Sequence, residues 1–203
     1  MPVKVEVSQQ LTGQWKVGLF ETPCKAPVPF LLGCCCSCCF YAAQQRHQIL
    51  DITGEEYVCC GGLCPCGPLG EPQDRNCAYL EGCCCNGLAV AGNRFMIQTR
   101  FDKMNTACDD CILWFTCLAS WLVCILQCFM DVPDEITMMV DCLVQIVNGC
   151  MLAQHAVEIE EIRRTGYHGP PSQIVGLLPP MQQKMIQSGG GNQQGAQMYG
   201  NAK

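Results

Sequence analysis

The chain has 203 residues, a formal net charge of -6 and 15% charged residues. This length suffices for one domain with a core of its own plus tails. Because binding to phosphates is driven by Lys and Arg, and no basic stripe is visible in the sequence, the composition argues against nucleic acid as a partner.

Cysteine stands out in the composition, with 21 residues. Many of them are direct neighbours, as in the runs at 34–36 and 83–85. Neighbouring cysteines rarely bond to each other, because a disulfide needs α-carbons further apart than one peptide link comfortably allows. The first residues contain no apolar segment typical of a secretory signal. We therefore expect a protein on the cytoplasmic side, soluble or membrane-attached and not secreted, whose thiols serve metal binding, acylation, redox chemistry or packing.

The first predicted elements are extended. Apolar and polar residues alternate over residues 3–8, which predicts a short N-terminal strand. Residues 14–20 predict a second strand or an extended arm. Three prolines between residues 23 and 29 are expected to prevent regular structure until Phe30.

Helical patterns follow from about residue 33 to 50 and from about residue 79 to 103. The segment between them, residues 54–76, is rich in Gly and Pro and therefore predicts a loop. Because this loop is poor in apolar residues, we expect a metal to order it.

Two longer helices are predicted at about residues 108–130 and 134–164. Pro133 and the acidic residues after it favour a helix start, and Gly166 follows the end of the pattern. The fold class is therefore mainly α, with about four helices, a cysteine-rich irregular loop segment and a short N-terminal strand.

The composition changes after Gly166. Residues 167–203 contain proline pairs, glutamines and a glycine run, so they form a low-complexity C-terminal arm beside a cysteine-rich helical domain of residues 1–166. Such a segment cannot form its own core, and we expect it to be disordered in the isolated protein. Its short apolar stretches predict protein partners in a multi-subunit assembly, bound through this arm.

Several motifs occur in a characteristic order: Gly13 to Phe20 followed by Cys24, the cluster Cys34 to Cys39, Cys64-Pro65-Cys66, and Cys150 to Gln154 followed by His155 and Glu158. In this order they resemble the placenta-specific gene eight family, a cysteine-rich group that includes the plant cell-number regulators, and its longer plant and protist branch in particular. The resemblance covers roughly residues 13–164. It implies a non-enzymatic protein, often membrane-associated, with a role in growth control or metal handling, and it implies no catalytic residues. The chain departs from compact members by a long insert before the final cysteine helix.

The predicted metal is zinc, which takes four thiolate or imidazole ligands at tetrahedral corners. The candidates in and near the loop are Cys59, Cys60, Cys64, Cys66 and Cys77. Cys24 and the cluster at 34–39 could complete this site or form a second one. Cys108 and Cys111 form a C-x-x-C at a helix start, which is a metal half-site or a redox pair. A thioredoxin-type pair needs a βαβ context that the sequence lacks.

Residues 112–130 contain no charged side chain over nineteen positions, a length at the edge of what spans a bilayer. They form either a transmembrane or re-entrant pair with residues 138–153, or two packed core helices. Because Asp141 would be costly in lipid, the sequence favours packed core helices. Cys117, Cys124 and Cys128 are then expected to lie on one helical face and to act only in packing.

A further use of thiols is lipid attachment. The cluster beside Phe30 and Phe40 could be palmitoylated, and several acyl chains anchor a protein stably without a spanning helix. The acylation candidates are Cys34, Cys35, Cys36, Cys38 and Cys39.

These patterns single out no nucleophile with a base and an orienting group, so we expect that the protein is not an enzyme. The favoured function is a zinc-binding, cysteine-rich structural or adaptor subunit of a larger intracellular assembly. The alternative is a membrane-associated regulator of growth or of divalent-metal transport. A thiol oxidoreductase is a third and more distant hypothesis.

Overall fold

The computed structural model describes residues 5–35, 38–63 and 67–189. It is mainly helical, which confirms the predicted mainly α class, but these three ranges contain ten α-helices rather than about four. In chain order they are α1 (Val5–Ser8), α2 (Thr22–Lys25), α3 (Pro27–Cys34), α4 (Cys38–Thr53), α5 (Cys77–Cys84), α6 (Asn86–Phe101), α7 (Ala107–Gln127), α8 (Asp134–Thr165), α9 (Ser172–Val175) and α10 (residues 180–189). Two short strands, β1 (Gly13–Gln14) and β2 (Lys103–Met104), pair in parallel.

The N-terminal region differs from the prediction. Residues 5–8 form a helix where a strand was expected, and the proline-rich segment forms α2 and α3. Both helices have a proline in their first two positions. A backbone N–H in the first turn of a helix makes no hydrogen bond within the helix, so proline, which lacks this N–H, loses none there. The prolines therefore favour the starts of these helices and do not prevent them.

The later helices agree better with the sequence. The predicted helix at 79–103 is divided into α5 and α6, because Cys85 leaves the helical conformation with φ -140° and ψ 51°. The two long helices are confirmed as α7 and α8, with ends that differ from the prediction by at most three residues.

The core lies where α4, α6 and the second half of α8 pack together. Its centre contains Ile49, Leu50, Ile97 and Ile159, each at most 1% exposed. Gly33 of α3 approaches α8 closely, since a Cβ on Gly33 would lie 2.9 Å from the Cα of Gly149.

The direction of α6 follows from its contacts with α8. Ala89 packs with Leu152, and further along both helices the guanidinium of Arg94 donates to Gln154 at 2.7 Å. Lys103, just after α6, pairs with Glu158 at 2.9 Å. Since the partners ascend together, α6 and α8 run roughly parallel. We call the described residues before α7, the part of α8 from Val147 onward and the described residues after α8 the helical domain.

The C-terminal segment also differs from the prediction. Ile174 and Leu178 are buried in one cluster with Val7, Leu11 and Phe95. Met185 of α10 joins the main core. Residues 172–189 therefore pack on the rest of the helical domain and do not extend from it as a separate arm. Residues 190–203 of the predicted arm lie outside the described part of the chain.

Candidate functional site

The structural feature that departs most from an ordinary folded domain is a pair of antiparallel helices. Helix α7 is followed by a six-residue connection and by the first half of α8, and we call residues 107–146 the hairpin. The two helices contact each other near the connection, where Gln127 Nε2 donates to Thr137 Oγ1 at 3.3 Å. At the other end, the side chain of Thr106 caps α7 by accepting from the N–H of Asp109 at 3.1 Å.

Very little of the hairpin is buried. In α7, which is described over its whole length, only Asp109 and Thr116 are buried. In α8, no residue of the fully described stretch 134–146 is buried, and the first buried residue is Val147. This overturns the expectation of two packed core helices.

The side chains that the hairpin exposes are large and apolar. They are Trp114, Phe115, Leu118, Trp121, Leu122, Ile125, Phe129, Met130, Ile136, Met138, Met139 and Ile146, which we call the hairpin surface. Their exposed fractions reach 64% for Trp121 and 83% for Phe129. Soluble monomers rarely expose so continuous an apolar patch, so we infer that this surface is covered in the cell.

Both helices are long and apolar enough to cross a membrane by length and composition, each with a mean hydropathy of 1.7 over an 18-residue window. Core helices of soluble proteins pass the same test, but they are mostly buried, whereas these windows are only 17% and 33% buried. The 21 residues of α7 span about 31 Å. This length matches a hydrocarbon layer of about 30 Å.

Charges are distributed unevenly between the two ends of the hairpin. The sequence has no Lys or Arg between Lys103 and Arg163. The connection and the first turn of α8 carry three exposed acids, Asp131, Asp134 and Glu135. All described positive charges therefore belong to the helical domain, and the far end of the hairpin is acidic.

Helix α3 lies against α8 just where α8 leaves the helical domain. The side-chain amide of Gln145 donates to the carbonyls of Gly33 and Cys34 at 3.3 and 3.0 Å. These bonds satisfy two carbonyls at the end of α3 that have no partner within the helix. Leu31 and Leu32 of α3 are exposed, so the apolar surface continues from the hairpin onto this helix.

The predicted metal ligands are not brought together. Among the described residues, no group of three or more His, Cys, Asp or Glu side chains could hold a metal. Cys59 and Cys60 have their sulfur atoms 3.8 Å apart, while Cys64 and Cys66 lie outside the described residues. Of the other candidates, Cys77 is half-buried in α5, and Cys24, Cys108 and Cys111 are exposed on α2 and α7. The zinc site stays a prediction.

The described part of the loop is ordered by a buried carboxylate. Glu81 accepts hydrogen bonds from the hydroxyl of Tyr57 at 2.7 Å and from the N–H of Cys60 at 2.9 Å. Its other oxygen pairs with Arg46 at 3.2 Å, and both side chains are 2% exposed. A charge-assisted network therefore holds this part of the loop in place.

The remaining thiol predictions have mixed outcomes. Of the acylation candidates, Cys35 is exposed and Cys34 and Cys39 are half-buried. The side chains of Cys36 and Cys38 lie outside the described ones. The expectation that Cys117, Cys124 and Cys128 pack in a core is wrong, because all three are exposed on the hairpin.

The motif around Trp15 has a packing role that the sequence did not reveal. The guanidinium of Arg94 lies 4.5 Å from the centroid of the Trp15 ring and donates to Asn105 at 2.7 Å. Burial lowers the pKa of Arg94 to about 10. The amide of Gln154 also donates to the carbonyl of Val17 at 2.8 Å. These bonds fix the N-terminal motif to α6 and α8, at the end of the helical domain away from the hairpin connection.

We compared the chain with protein-family models, with curated proteins and with solved structures, and none of the three comparisons found a match.

Proposed function

We propose that this protein is anchored in a membrane by its hairpin and that its helical domain acts at the cytosolic surface as a non-enzymatic regulator or adaptor. The observation that carries the proposal is the hairpin surface, which is apolar and exposed and includes most of the charge-free run of residues 112–130. This is the membrane-associated alternative of the sequence analysis, and it is favoured here over a soluble subunit.

The distribution of the exposed side chains favours lipid over a single docking partner. On α7, Trp114 and Phe115 are neighbours, as are Trp121 and Leu122, and all four are exposed. Neighbouring positions on a helix point about 100° apart, so the exposed surface covers more than one face. A helix that is apolar around nearly its whole circumference is suited to contact with lipid, whereas a helix that binds one docking partner needs only a single apolar stripe.

The charges favour one orientation. Lys and Arg are retained on the cytosolic side of membranes, and acidic residues have little influence on topology. Because the described positive charges lie on the helical domain, this domain is placed at the cytosolic face and the acidic connection at the far side. Asp141 then lies inside the hydrocarbon layer, a position that membrane proteins reserve for function or for helix contacts.

Two finer assignments stay predictions. Regulation of growth or of divalent-metal transport is what the resemblance to the placenta-specific gene eight family implies. The zinc-binding structural subunit is the other, and two of its candidate ligands, Cys64 and Cys66, lie outside the described residues.

The test is extraction of the full-length chain from cell membranes with alkaline carbonate. We expect the wild type to stay in the membrane pellet and the double variant Leu118→Arg/Leu122→Arg to move to the supernatant, because two charges at a helix centre oppose insertion. Met104→Arg is the matched control, since Met104 is an exposed apolar residue of the helical domain, and it should stay in the pellet. A wild-type chain that is released by carbonate would refute the membrane anchor.

A further inference from the structure

The corner between α5 and α6 carries three consecutive thiols. Helix α5 ends at Cys84, α6 begins at Asn86, and Cys85 links the two. Cys83, Cys84 and Cys85 are all exposed. Free cysteine is one of the residues most often buried in folded proteins, so packing does not account for three exposed thiols in a row.

This corner lies on the same side of the helical domain as the hairpin. Because α6 and α8 run roughly parallel, the start of α6 faces the end of α8 that enters the hairpin. Ala89, one turn after Cys85, packs with Leu152, which lies only five residues after the first buried position of α8. The thiols are therefore near the level at which the hairpin leaves the helical domain.

The start of α4 lies beside the same corner. Gly82 of α5 approaches this helix so closely that a Cβ on it would overlap the carbonyl oxygen of Cys39. Phe40, Leu80 and Leu88, one from each of the three helices at the corner, are exposed by 58%, 68% and 42%. The thiols thus lie within an apolar surface that faces the membrane in the proposed orientation.

The three thiols are not equivalent. The thiol of Cys83 is hydrogen-bonded to Cys39, and this bond is the main reason why the pKa of Cys83 is raised. This hydrogen bond holds the thiol of Cys83 against Cys39, which makes it less available to an acyl donor.

We infer that Cys84 and Cys85 are sites of S-acylation, in which long-chain acyl groups join the corner to the membrane. This inference rests on the proposed function, because the hairpin brings the corner to the lipid surface.

The acyl donor is a thioester of coenzyme A. The cysteine thiolate attacks the thioester carbonyl, a new carbon–sulfur bond forms, and the bond to coenzyme A breaks. Coenzyme A leaves as a thiolate and takes up the proton that the cysteine has lost, so no oxidant is needed.

Two acyl chains at this corner would fix the tilt of the helical domain on the membrane. One chain gives only marginal and reversible membrane binding, whereas two chains, or one chain with a second anchor, hold stably. These sites are distinct from the acylation candidates at 34–39, which belong to a different segment.

The experiment uses the full-length chain expressed in eukaryotic cells and isolated from membranes. Free thiols are blocked, thioesters are cleaved with neutral hydroxylamine, and the released thiols are tagged and mapped after trypsin digestion. Trypsin cuts after Arg75 and Arg94, so the corner is read in a peptide separate from the cluster at 34–39. We expect two hydroxylamine-dependent tags in the peptide 76–94, on Cys84 and Cys85, and none in the double variant Cys84→Ser/Cys85→Ser.

The control is Cys124→Ser/Cys128→Ser, which removes two equally exposed thiols at the far end of the hairpin. It should keep both tags. A wild-type chain that resists carbonate extraction but carries no tag at Cys84 or Cys85 would overturn the acylation and leave the membrane anchor intact. Tags that appear after treatment with a reductant instead of hydroxylamine would also overturn it, since they would report oxidised thiols.

Discussion

The two halves of α8 belong to one continuous helix of 32 residues but lie in opposite surroundings. In the first half, Ile136, Met138 and Met139 are exposed. In the second half, the polar side chains of Gln154 and Glu158 are fully buried, because Arg94 and Lys103 supply their partners. In this helix, side chains are therefore buried where another part of the fold packs against them, and their hydrophobicity alone does not decide their burial. The apolar side chains of the first half stay exposed within the described fold, and we infer that lipid covers them.

The largest expected difference is between two isoleucines of α8. Ile159 is 1% exposed and Ile146 is 49% exposed. We expect Ile159→Ala to lower the free energy of unfolding by about 2–5 kcal/mol, because it leaves a cavity in the core. Ile146→Ala should change it by less than about 0.5 kcal/mol. Urea unfolding in detergent micelles, followed by circular dichroism, measures both.

Equal effects of the two substitutions would contradict the comparison. They would mean that residues 134–146 are packed against protein in solution as tightly as the second half of α8. A soluble partner or a second copy of the chain would then be a better explanation of the hairpin surface than lipid.

The sequence predicts the ends of α7 and α8 well, because a charge-free run, a proline at the turn and a glycine after the end are local patterns. It does not predict where these helices lie, since an apolar helix has the same composition in a core as in lipid. Because of Asp141, the sequence favoured packed core helices over a membrane pair, yet the side chain of Asp141 is exposed. The environment of a helix depends on what the rest of the chain leaves uncovered, which is a long-range property.

The same limit applies to the loop and to the C-terminal segment. The order of Tyr57 and Cys60 depends on Glu81, which lies more than twenty positions away. Ile174 is buried only because Val7 and Phe95 reach it from distant parts of the chain. Local composition did not reveal Glu81 in the first case and predicted disorder in the second, because neither partner is visible in the local sequence.

An intermediate effect is expected at the boundary between the two halves of α8. A Cβ on Gly149 would overlap the sulfur of Cys34 and lie 3.3 Å from the carbonyl oxygen of Phe30, whereas a Cβ on Gly87 would meet nothing within 4 Å. We expect Gly149→Ala to cost about 1–3 kcal/mol by overpacking. Gly87→Ala should be neutral or slightly stabilising, because alanine favours helix.

The measurement is again urea unfolding in micelles, with both variants on the wild-type background. Should Gly149→Ala prove as stable as Gly87→Ala, the contact between α3 and α8 is looser than described. The continuous apolar surface from α3 to the hairpin would then lose its structural basis.

The smallest expected effect concerns the helical domain and depends on pH. Tyr57 is 1% exposed, and its hydroxyl donates to Glu81. Burial, and then the hydrogen bond to Glu81, raise the pKa of Tyr57 above its ordinary value of 10.0. Its contribution to stability is therefore complete below pH 10 and is lost as the pH rises further, because the tyrosine of the unfolded chain ionises first. At neutral pH, Tyr57→Phe should cost about 1 kcal/mol for the lost hydrogen bond. Above pH 10 the wild type loses about 1.4 kcal/mol per pH unit relative to the variant, so the two should be equally stable at about pH 11. Unfolding of both proteins at a series of alkaline pH values measures this difference.

A difference that stays constant from neutral pH to about pH 11 would mean that Tyr57 is not held as a buried neutral donor to Glu81. In that case the carboxylate does not order the loop, and the metal predicted from the sequence becomes the better explanation of its order.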